Sequence, residues 1–428
     1  MFSRRRFLKA GSLTATAGAL LPQLAHGTEK EEALPPAIAE LKSMRGEAKP
    51  ITAEERGARQ EKARQLMREN NLSAILLTQG TSLVYFTGIQ WWGGERLFAM
   101  VLPAKGEAFY VAPAFEEGRA REQIALGHNG KNPDVRVWQE DESPYARVAQ
   151  GMGDRGISGG TIGFEETTKF VFTENIRKAA ASAAFASATP VTAGCRMIKS
   201  AHEIDLMRLA AKVTLAAYEA TYRSLKAGMT QKDVGKMLET AHRQLGFEGG
   251  ADVQVGEYSA FPHGSIAPQE IREGTIVLID GGCTVEGYAS DITRTFVLGK
   301  ASDKMKQVFD IVHRAQSAAL AMARPGMEAG SVDAAARKVI TDGGYGPDYK
   351  YFTHRLGHGM GMDGHEWPYL VRGNTTKLQP QMTFSDEPGI YIRGEFGIRL
   401  EDDMHILESG SELFTPQSPS LEDPFGKA

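Results

Sequence analysis

The segment TIVLIDGGCTVEGYASDITRTFVLG (residues 275–299) decides the fold of the second half of this chain. Two apolar runs rich in β-branched residues flank a glycine-containing turn, expected over residues 281–287, and this pattern is typical of a β-hairpin. The first run ends on Asp280 and the second begins on Asp291. If the two strands pair, both carboxylates come from adjacent strands and can face one site. A strand-end aspartate on its own is more often a turn residue, so the pair needs further partners.

Two glutamates follow in similarly apolar strands. Glu387 lies in FSDEPGIYI (384–392), where Pro388 interrupts the strand immediately after it. Glu401 is expected in mid-strand within GIRLEDDMHIL (397–407). Carboxylates in apolar strands are costly unless they are paired, hydrogen-bonded or bound to metal. A surface strand remains the alternative for Glu401.

One histidine completes a set of possible metal ligands. His358 is expected in a glycine loop, LGHGMG (356–361), where the backbone can approach closely and present a single imidazole. A tight-turn residue is the alternative. Four carboxylates and one imidazole form an oxygen-rich donor set, which suits two divalent ions such as manganese, cobalt or zinc rather than a thiolate site.

Periodicity separates the chain into two parts of different class near residue 192. Beyond it, helices and strands come in groups, which is typical of an α+β domain with a mostly antiparallel sheet. The helices predicted there span 201–228, 230–245, 303–323 and 331–342. Before it, apolar runs alternate with helical segments as in an α/β domain. The strands predicted there span 73–79, 82–89, 96–104, 107–115 and 161–166, and the helices span 52–71, 115–125 and 166–182. Thr52 and Ser200, each followed three residues later by glutamate, are predicted to cap helices.

The first 27 residues have the composition of an export signal. Residues 3–9 read SRRRFLK, and an uncharged stretch of small and apolar residues follows. A basic start, an apolar middle and a small-residue exit indicate a secretory signal. Arg4 and Arg5 resemble the pair of the twin-arginine signal, which implies export of a folded protein to the periplasm. An N-terminal amphipathic helix is the alternative. Residues 28–50 are predicted to be a polar lead-in segment.

Composition excludes several classes of protein. Of the 428 residues, 42% are hydrophobic, which excludes wholesale disorder. Two cysteines exclude a disulfide framework and a four-cysteine zinc site. Without the signal, 45 basic residues stand against 53 acidic ones, so the mature net charge is −8 and a nucleic-acid partner is not expected. Since no apolar run reaches about 18 residues, no stable membrane span is expected.

Four segments together resemble the creatinase/prolidase family of pita-bread metallopeptidases, in its Xaa-Pro peptidase branch. They are IDGGCTVEGYASDITRTF (279–296), HRLGHGMGMDGHE (354–366), FSDEPGIYI (384–392) and GIRLEDD (397–403). The resemblance implies an α+β fold with a pita-bread catalytic domain over 193–428 and a smaller α/β N-terminal domain over 51–192. Asp386 departs from the family's pattern, which often has an uncharged residue there, and we expect it to point away from the metals.

The resemblance also implies a role for each metal ligand. Asp291 and Glu401 would bridge two divalent ions, with manganese expected first and cobalt or zinc as alternatives. Asp280 would hold one ion, and His358 with Glu387 would hold the other. Glu387 would in addition assist the attacking hydroxide as general base.

Further residues are implied to lie around the metals. His263 in FPHG, His354 in HRLGH and His365 in GHE match family positions near the substrate. His354 and His365 would hydrogen-bond the substrate carbonyl or its oxyanion. Arg399 would support the metal-binding carboxylates, and Arg372 could hold a substrate carboxylate. A satisfied core histidine and an exposed arginine are the respective alternatives.

Two adjacent tryptophans, Trp91 and Trp92, precede a Gly-Gly pair in GIQWWGGER (88–96). We expect this loop to border the substrate cleft, with local packing as the alternative.

The sequence as a whole predicts an exported hydrolase that cleaves small peptides at Xaa-Pro bonds, as an aminopeptidase or a dipeptidase, with an activated hydroxide at two metal ions. A homodimer or homotetramer is expected from the resemblance. Hydrolysis of another small C–N bond or phosphorus ester on the same fold, or a non-catalytic binding protein, are the alternatives. The five intact ligands argue against the binding protein.

Overall fold

A computed structural model of the chain describes residues 33–91 and 94–426. The predicted export signal, residues 1–27, therefore lies outside the described residues. From Pro36 onward the chain forms one packing unit, which contains both predicted domains. The boundary predicted near residue 192 stays a prediction. No helix in the described range is long and apolar enough to cross a membrane.

The first half alternates short strands and helices. Its helices are α1 (Pro36–Ala39), α2 (Ala53–Glu69), α3 (Thr81–Thr87), α4 (Glu117–Ala125), α5 (Pro144–Asp154), α6 (Phe170–Ala179) and α7 (Thr189–Arg196). Its strands are β1 (Ala74–Leu77), β2 (Ala99–Pro103), β3 (Phe109–Pro113), β4 (Asp134–Trp138), β5 (Thr161–Phe164) and β6 (Ala184–Ser187). The strands form one mixed sheet in the order β4-β3-β2-β1-β5-β6, parallel at both edges and antiparallel in the centre.

Helix capping in this half follows the sequence, but one predicted strand is wrong. The Thr52 side chain accepts a hydrogen bond from the Glu55 backbone N–H, and the Glu55 carboxylate accepts one from Thr52, so the predicted cap is confirmed. Most of the segment 82–89, which was predicted to be a strand, belongs to helix α3, which ends at Thr87. Gly88, at φ 82°, ends this helix in the left-handed conformation that glycine adopts without strain. A helix of seven residues, five of them buried, is too short for helical periodicity to show.

The second half consists of long helices and antiparallel strands, so its predicted α+β class is confirmed. Its helices are α8 (Ala201–Tyr222), α9 (Gln231–Leu245), α10 (Asp303–Met322) and α11 (Ala329–Asp342). Its first four strands are β7 (Gly249–Val255), β8 (Ile276–Val285), the two-residue β9 (Tyr288–Ala289) and β10 (Ile292–Val297). Seven strands of three to five residues follow: β11 (Gly357–Gly359), β12 (Glu366–Leu370), β13 (Thr383–Asp386), β14 (Gly389–Ile392), β15 (Phe396–Arg399), β16 (Asp402–Ile406) and β17 (Ser411–Leu413).

These strands form two main antiparallel sheets, each covered by a helix pair. The sheet β10-β8-β7 packs against α8 and α9 through residues such as Tyr218 and Ile279. The sheet β12-β11-β13-β16-β17 packs against α10 and α11 through residues such as Val312 and Phe384. Because the helices cover the outer faces, the inner faces of the two sheets meet where the acidic motifs lie.

The predicted hairpin is confirmed with a different turn. β8 and β10 pair antiparallel, with Asp280 opposite Thr293. β8 does not turn after Asp280 but runs on to Val285, and the tight turn falls at Glu286 and Gly287, both at positive φ. Glycine is the residue that accepts such a turn without strain.

Two further local predictions need correction. His358 lies on strand β11 and not in a loop, since its neighbouring glycines allow β12 and β13 to approach closely on both sides. Glu401 does not lie in mid-strand but between β15 and β16. There it forms an isolated antiparallel bridge with Thr293. This bridge joins the two main sheets.

Candidate metal centre

The five predicted ligands converge from five different strands or strand ends. Asp280 lies on β8, and Asp291 directly precedes β10. His358 lies on β11, Glu387 directly follows β13, and Glu401 sits at the bridge between the sheets. The hairpin brings the two aspartates together, and the break at Glu387 frees its side chain from the strand alternation.

Three sets of three side chains could each hold a metal ion. Two of them share Glu401 and form the two ligand groups: one is Asp280, Asp291 and Glu401, and the other is His358, Glu387 and Glu401. The third set is Asp291, His358 and His365, and in every set the ligand atoms lie within 4.8 Å of one another. His358 Nε2 lies 3.4 Å from Glu387 Oε1 and 3.8 Å from Asp291 Oδ2, so the groups are contiguous.

The backbone selects the nitrogen that His358 presents. Its Nδ1 lies 3.1 Å from the carbonyl oxygen of Gly359, and that carbonyl can only accept a hydrogen bond. Nδ1 therefore carries the proton and Nε2 keeps its lone pair towards the carboxylates. Burial and the neighbouring His365 lower the pKa of His358 to about 3, so the imidazole is neutral, as a metal ligand must be.

The four carboxylates of the cluster have too little positive charge around them to balance their own negative charge. Burial and the charge of Asp280 raise the pKa of Asp291 to about 7. Burial also raises the pKa of Glu387 to about 8, although Arg399 opposes this effect, and raises the pKa of Glu401 well above its usual value. Only Asp280, bonded by Arg399, keeps a lowered pKa despite its burial. Within the described residues this excess of negative charge is what bound cations would neutralise.

Arg399 and Thr293 organise the acidic side chains. Arg399, which is 2% exposed, donates a hydrogen bond of 2.6 Å to Asp280 Oδ2 and one of 2.8 Å to the Tyr391 hydroxyl. Thr293 Oγ1 lies 2.8 Å from Asp280 Oδ1 and 2.5 Å from Glu401 Oε2. The structure thus places Arg399 beside the carboxylates, as the sequence predicts.

The three predicted histidines surround this cluster. His365 stacks on His358 with ring centroids 3.7 Å apart. His354 Nδ1 lies 2.7 Å from the Arg355 carbonyl oxygen, and its Nε2 lies 2.7 Å from the Tyr391 hydroxyl, so both nitrogens have protein partners. His263 is exposed on a loop, and its imidazole is close enough to His354 and His365 to contribute to the lowering of their pKa values.

Of the three predicted substrate residues, two are not brought to the cluster and the third is not described. Arg372 is exposed and donates a hydrogen bond to Asp348 at 2.9 Å. The Trp91 ring stacks on Phe98 at 4.0 Å within the first half of the chain. Trp92 lies outside the described residues.

Asp386 does not belong to either ligand group. It is fully buried, neither carboxylate oxygen has a hydrogen-bond partner among the described residues, and burial with the nearby charge of Asp402 raises its pKa well above the usual value.

Sequence reasoning missed three residues that shape the site. Thr293 bridges two acidic side chains, Tyr391 connects Arg399 to His354, and Arg355 lies against His365. Thr293 and Tyr391 look like ordinary strand residues, so the sequence carries no signal for them. Arg355 follows His354 directly, and a charged residue inside that motif was a usable signal.

Beside the cluster lies a cavity of about 310 Å³, lined by both halves of the chain. Glu165 and Thr81 line it from the first half, and His365, Glu366 and Tyr369 line it from the second.

Ion pairs hold the β11–β12 connection in place beside this cavity. Arg196 pairs with Glu366 and Asp363, Lys199 pairs with Glu366 at 3.3 Å, and the Thr81 hydroxyl donates to Asp363. Because the Lys199 and Glu366 side chains are almost fully buried, this network fixes the segment that carries His365.

Family models match most of the described chain. Residues 59–198 match the creatinase/prolidase N-terminal domain, and residues 205–408 match metallopeptidase family M24. M24 enzymes use divalent metals, and the five converging ligands fit such ions.

Individual relatives agree with these models. The chain is 32% identical to a putative dipeptidase of Bacillus subtilis over 83% of this chain and 96% of the relative. It is 32% identical to the Xaa-Pro dipeptidase of Lactobacillus delbrueckii subsp. lactis over 85% and 98%. The crystal structure of dipeptidase PepE from Mycobacterium ulcerans superposes with a TM-score of 0.82 at 32% identity, over 87% of this chain and 99% of that one. The predicted pita-bread fold with a smaller N-terminal domain is thereby confirmed, and the chain belongs to the creatinase/prolidase family of M24 metallopeptidases.

Proposed function

We propose that this metallopeptidase binds two divalent metal ions and hydrolyses the Xaa-Pro bond of small peptides. The observation that carries the proposal is the pair of contiguous ligand groups that share Glu401. Asp280 and Asp291 complete one group, and His358 and Glu387 complete the other. The Xaa-Pro dipeptidase name of a relative that covers 85% of this chain supports the substrate class.

The chemistry of the donor set fits two hard or borderline ions. Asp291 and Glu401 would help to hold both ions, Asp280 would help to hold one, and His358 with Glu387 would help to hold the other. Carboxylates and one imidazole suit manganese, cobalt or zinc. Bound there, the ions would polarise the substrate carbonyl and make hydroxide available at neutral pH.

The protein's own residues would supply proton transfer and orientation. An Xaa-Pro bond is a tertiary amide without an N–H, so its recognition depends on the carbonyl and on the proline ring. Glu387, whose carboxylate is buried among the ligands, would take a proton from the attacking water and return it to the prolyl nitrogen. His365, exposed at the cavity, would donate a hydrogen bond to the carbonyl oxygen as negative charge develops there. His354 would donate a hydrogen bond to the same oxygen once its own hydrogen bond to the Tyr391 hydroxyl is broken. His263 would approach the substrate from its loop.

The test is a metal-dependent peptidase assay on the protein without residues 1–27. Metal-stripped enzyme is supplied separately with manganese, cobalt or zinc and given Ala-Pro, Ala-Pro-Ala and, as a control, Ala-Ala. Cleavage of a proline peptide with little cleavage of Ala-Ala is expected, together with two equivalents of metal by elemental analysis. No cleavage of either proline peptide with any metal contradicts the proposal, and so does full activity of Asp291→Ala.

We also propose that residues 1–27 direct export by the twin-arginine route and that the protein works in the periplasm. The Arg4-Arg5 pair and the uncharged apolar stretch that follows support this proposal. Replacement of both arginines by lysine should retain the protein in the cytoplasm of a host that has this route, as fractionation would measure. The expected homodimer or homotetramer is tested by light scattering.

A further inference from the structure

The connection between α11 and β11 has an irregular backbone beside the metal cluster. Residues 343–356, all of them described, contain neither helix nor strand. The connection carries His354 and leads directly into Gly357 and His358. An irregular backbone has no regular ladder of hydrogen bonds, so other groups have to satisfy its carbonyl and N–H groups. The places of two candidate site residues therefore depend on what binds this connection.

A buried ion pair on α11 binds it. Arg337 donates hydrogen bonds to both carboxylate oxygens of Asp333, at 3.1 and 2.9 Å, and the two side chains are 7% and 1% exposed. Arg337 also donates to the carbonyl oxygens of Phe352 at 2.9 Å and His354 at 2.8 Å. Asp333 Oδ1 accepts a hydrogen bond of 2.9 Å from the Leu356 backbone N–H. The pair thus holds the connection at three successive places.

The Leu356 peptide extends this contact to Glu387. The Leu356 N–H is shared between Asp333 and the carbonyl oxygen of Leu370, which lies 3.1 Å away. The Leu356 carbonyl oxygen accepts a hydrogen bond of 3.1 Å from the Glu387 N–H. One residue of the connection therefore links the ion pair on α11 to the backbone of a predicted metal ligand.

The His354 ring is supported from the same side. The guanidinium carbon of Arg337 lies 4.2 Å from the centre of the Phe352 ring and 4.4 Å from that of Tyr349. The Phe352 ring in turn meets the His354 ring edge-on, with centroids 5.1 Å apart. Arg337 therefore fixes both the His354 carbonyl and the aromatic ring against which the imidazole packs.

Stability alone does not account for this ion pair. Two buried charges gain little over apolar side chains of the same volume, because the loss of hydration offsets their attraction. A planar guanidinium does supply directional hydrogen bonds to a carboxylate and to carbonyl oxygens at the same time, which a lysine cannot do.

We propose that Asp333 and Arg337 are positioning residues, which set the places of His354 and Glu387 for catalysis. This inference rests on the proposed function, in which Glu387 transfers the proton and His354 binds the carbonyl oxygen. Neither Asp333 nor Arg337 belongs to a ligand group, so both act through the backbone that they hold.

The experiment compares Arg337→Lys and Asp333→Asn with the wild type. Lysine keeps the charge beside Asp333 but loses the planar fork, and asparagine keeps the acceptor for Leu356 but loses the charge that holds Arg337. Ile340→Ala is the matched control, since Ile340 is 1% exposed in the core under the same helix and its truncation lowers stability with the ion pair in place. The asparagine variant is isosteric and keeps the test valid where the lysine variant does not fold.

Two kinds of measurement are made on each protein. The metal-loaded enzymes are assayed for kcat and KM on Ala-Pro, with metal content and melting temperature recorded. Amide hydrogen exchange of the metal-free proteins is followed by mass spectrometry in peptides that cover residues 348–358 and 384–390, with peptides of α10 as the reference.

We expect kcat of both ion-pair variants to fall by about 10- to 100-fold, with KM changed by less than about threefold, because a displacement of about 1 Å is enough for such a loss. Both metal equivalents should be retained. Exchange should become at least about fivefold faster in the two site peptides and stay unchanged in α10, as local opening predicts. Ile340→Ala should lower the melting temperature but keep kcat within about twofold of the wild type.

Three results would overturn the inference while leaving the proposed function intact. The first is faster exchange in the site peptides with kcat as in the wild type. The second is a fall in kcat of Ile340→Ala equal to that of the ion-pair variants at a similar melting temperature, which indicates a general effect of stability. The third is a loss confined to KM or accompanied by loss of metal.

The proposed function fails separately. A wild type that does not cleave Ala-Pro contradicts the proposed function itself. Unchanged exchange of the site peptides in both ion-pair variants contradicts the inference, whether or not the wild type is active.

Discussion

Replacing Asp291 by asparagine should stabilise the metal-free protein and destabilise the metal-bound one. Within the described residues no hydrogen bond reaches the Asp291 carboxylate, and Asp280 repels it, so the substitution removes a largely buried charge without removing a hydrogen bond. The same carboxylate is a predicted bridge between the metal ions. One substitution should therefore have opposite effects in the two states.

The magnitude follows from the raised pKa of Asp291. Its pKa is about 7 in the folded chain against 3.8 in the unfolded one, so its contribution to stability is complete below pH 3.8 and is lost as the pH rises towards 7. Each pKa unit corresponds to 1.36 kcal/mol, so a difference of about 3 units corresponds to a loss of about 4 kcal/mol in the free energy of unfolding. Since 23% of the side chain is exposed and water screens part of the charge, we expect a gain of roughly 1–3 kcal/mol for Asp291→Asn at pH 8.

The assay is urea denaturation at pH 8, with a chelator or with manganese. Manganese at about a hundred times its dissociation constant should stabilise the wild type by about 2.7 kcal/mol and the variant by much less. The order of stability should therefore reverse between the two conditions. Asp310→Asn on α10 is the control, with changes within about 0.5 kcal/mol in both.

Two results would refute this reasoning. A metal-free variant less stable than the wild type would show that Asp291 makes a stabilising contact. Equal stabilisation of both proteins by manganese would show that Asp291 is not a ligand.

Three further predictions concern residues away from catalysis. Arg294→Met should lower the free energy of unfolding by about 3–5 kcal/mol, because it leaves Asp402 buried without its partner 2.7 Å away; a loss below 1 kcal/mol in urea denaturation would contradict this. Burial lowers the pKa of His242 below 6.5, so the free energy of unfolding is unaffected by this residue above pH 6.5 and decreases as the pH falls below 6.5. His242→Leu should make this decrease smaller by up to about 1.4 kcal/mol per pH unit. Parallel curves of unfolding free energy against pH for the wild type and the variant would contradict this. Trp91→Ala should lower stability by about 1–3 kcal/mol through loss of stacking on Phe98, and an increased KM with unchanged stability would instead support a role at the substrate cleft.

Sequence reasoning succeeded where a short pattern has one physical solution. The capping box at Ser200 starts α8 as predicted, since its hydroxyl and the Glu203 carboxylate satisfy each other's backbone N–H groups. The β-branched run ending at Asp280 pairs with the run after Asp291 because both are buried on the sheet. The resemblance then predicted all five residues that converge at the two ligand groups.

Prediction failed where the outcome depends on contacts distant in sequence. α8 ends at Tyr222 and not at Gly228, although helical spacing continues to Leu225. Glu401 leaves the strand pattern because it bridges to Thr293 on the other sheet, which nothing near Glu401 in sequence indicates. Arg355 and Tyr369 are in contact only because β11 pairs with β12. The motif that contains Arg355 therefore does not predict this contact.

The ion pairs around Glu366 constrain how this protein can be recombined. Arg196 and Lys199 precede the segment that matches family M24, while Asp363 and Glu366 lie within it. A chimera that joined this catalytic half to the first half of a relative would leave Glu366 buried without its cations, unless both basic residues came with it. Exchange between relatives should therefore succeed only when the crossover point lies before Arg196, so that both cations stay with Glu366.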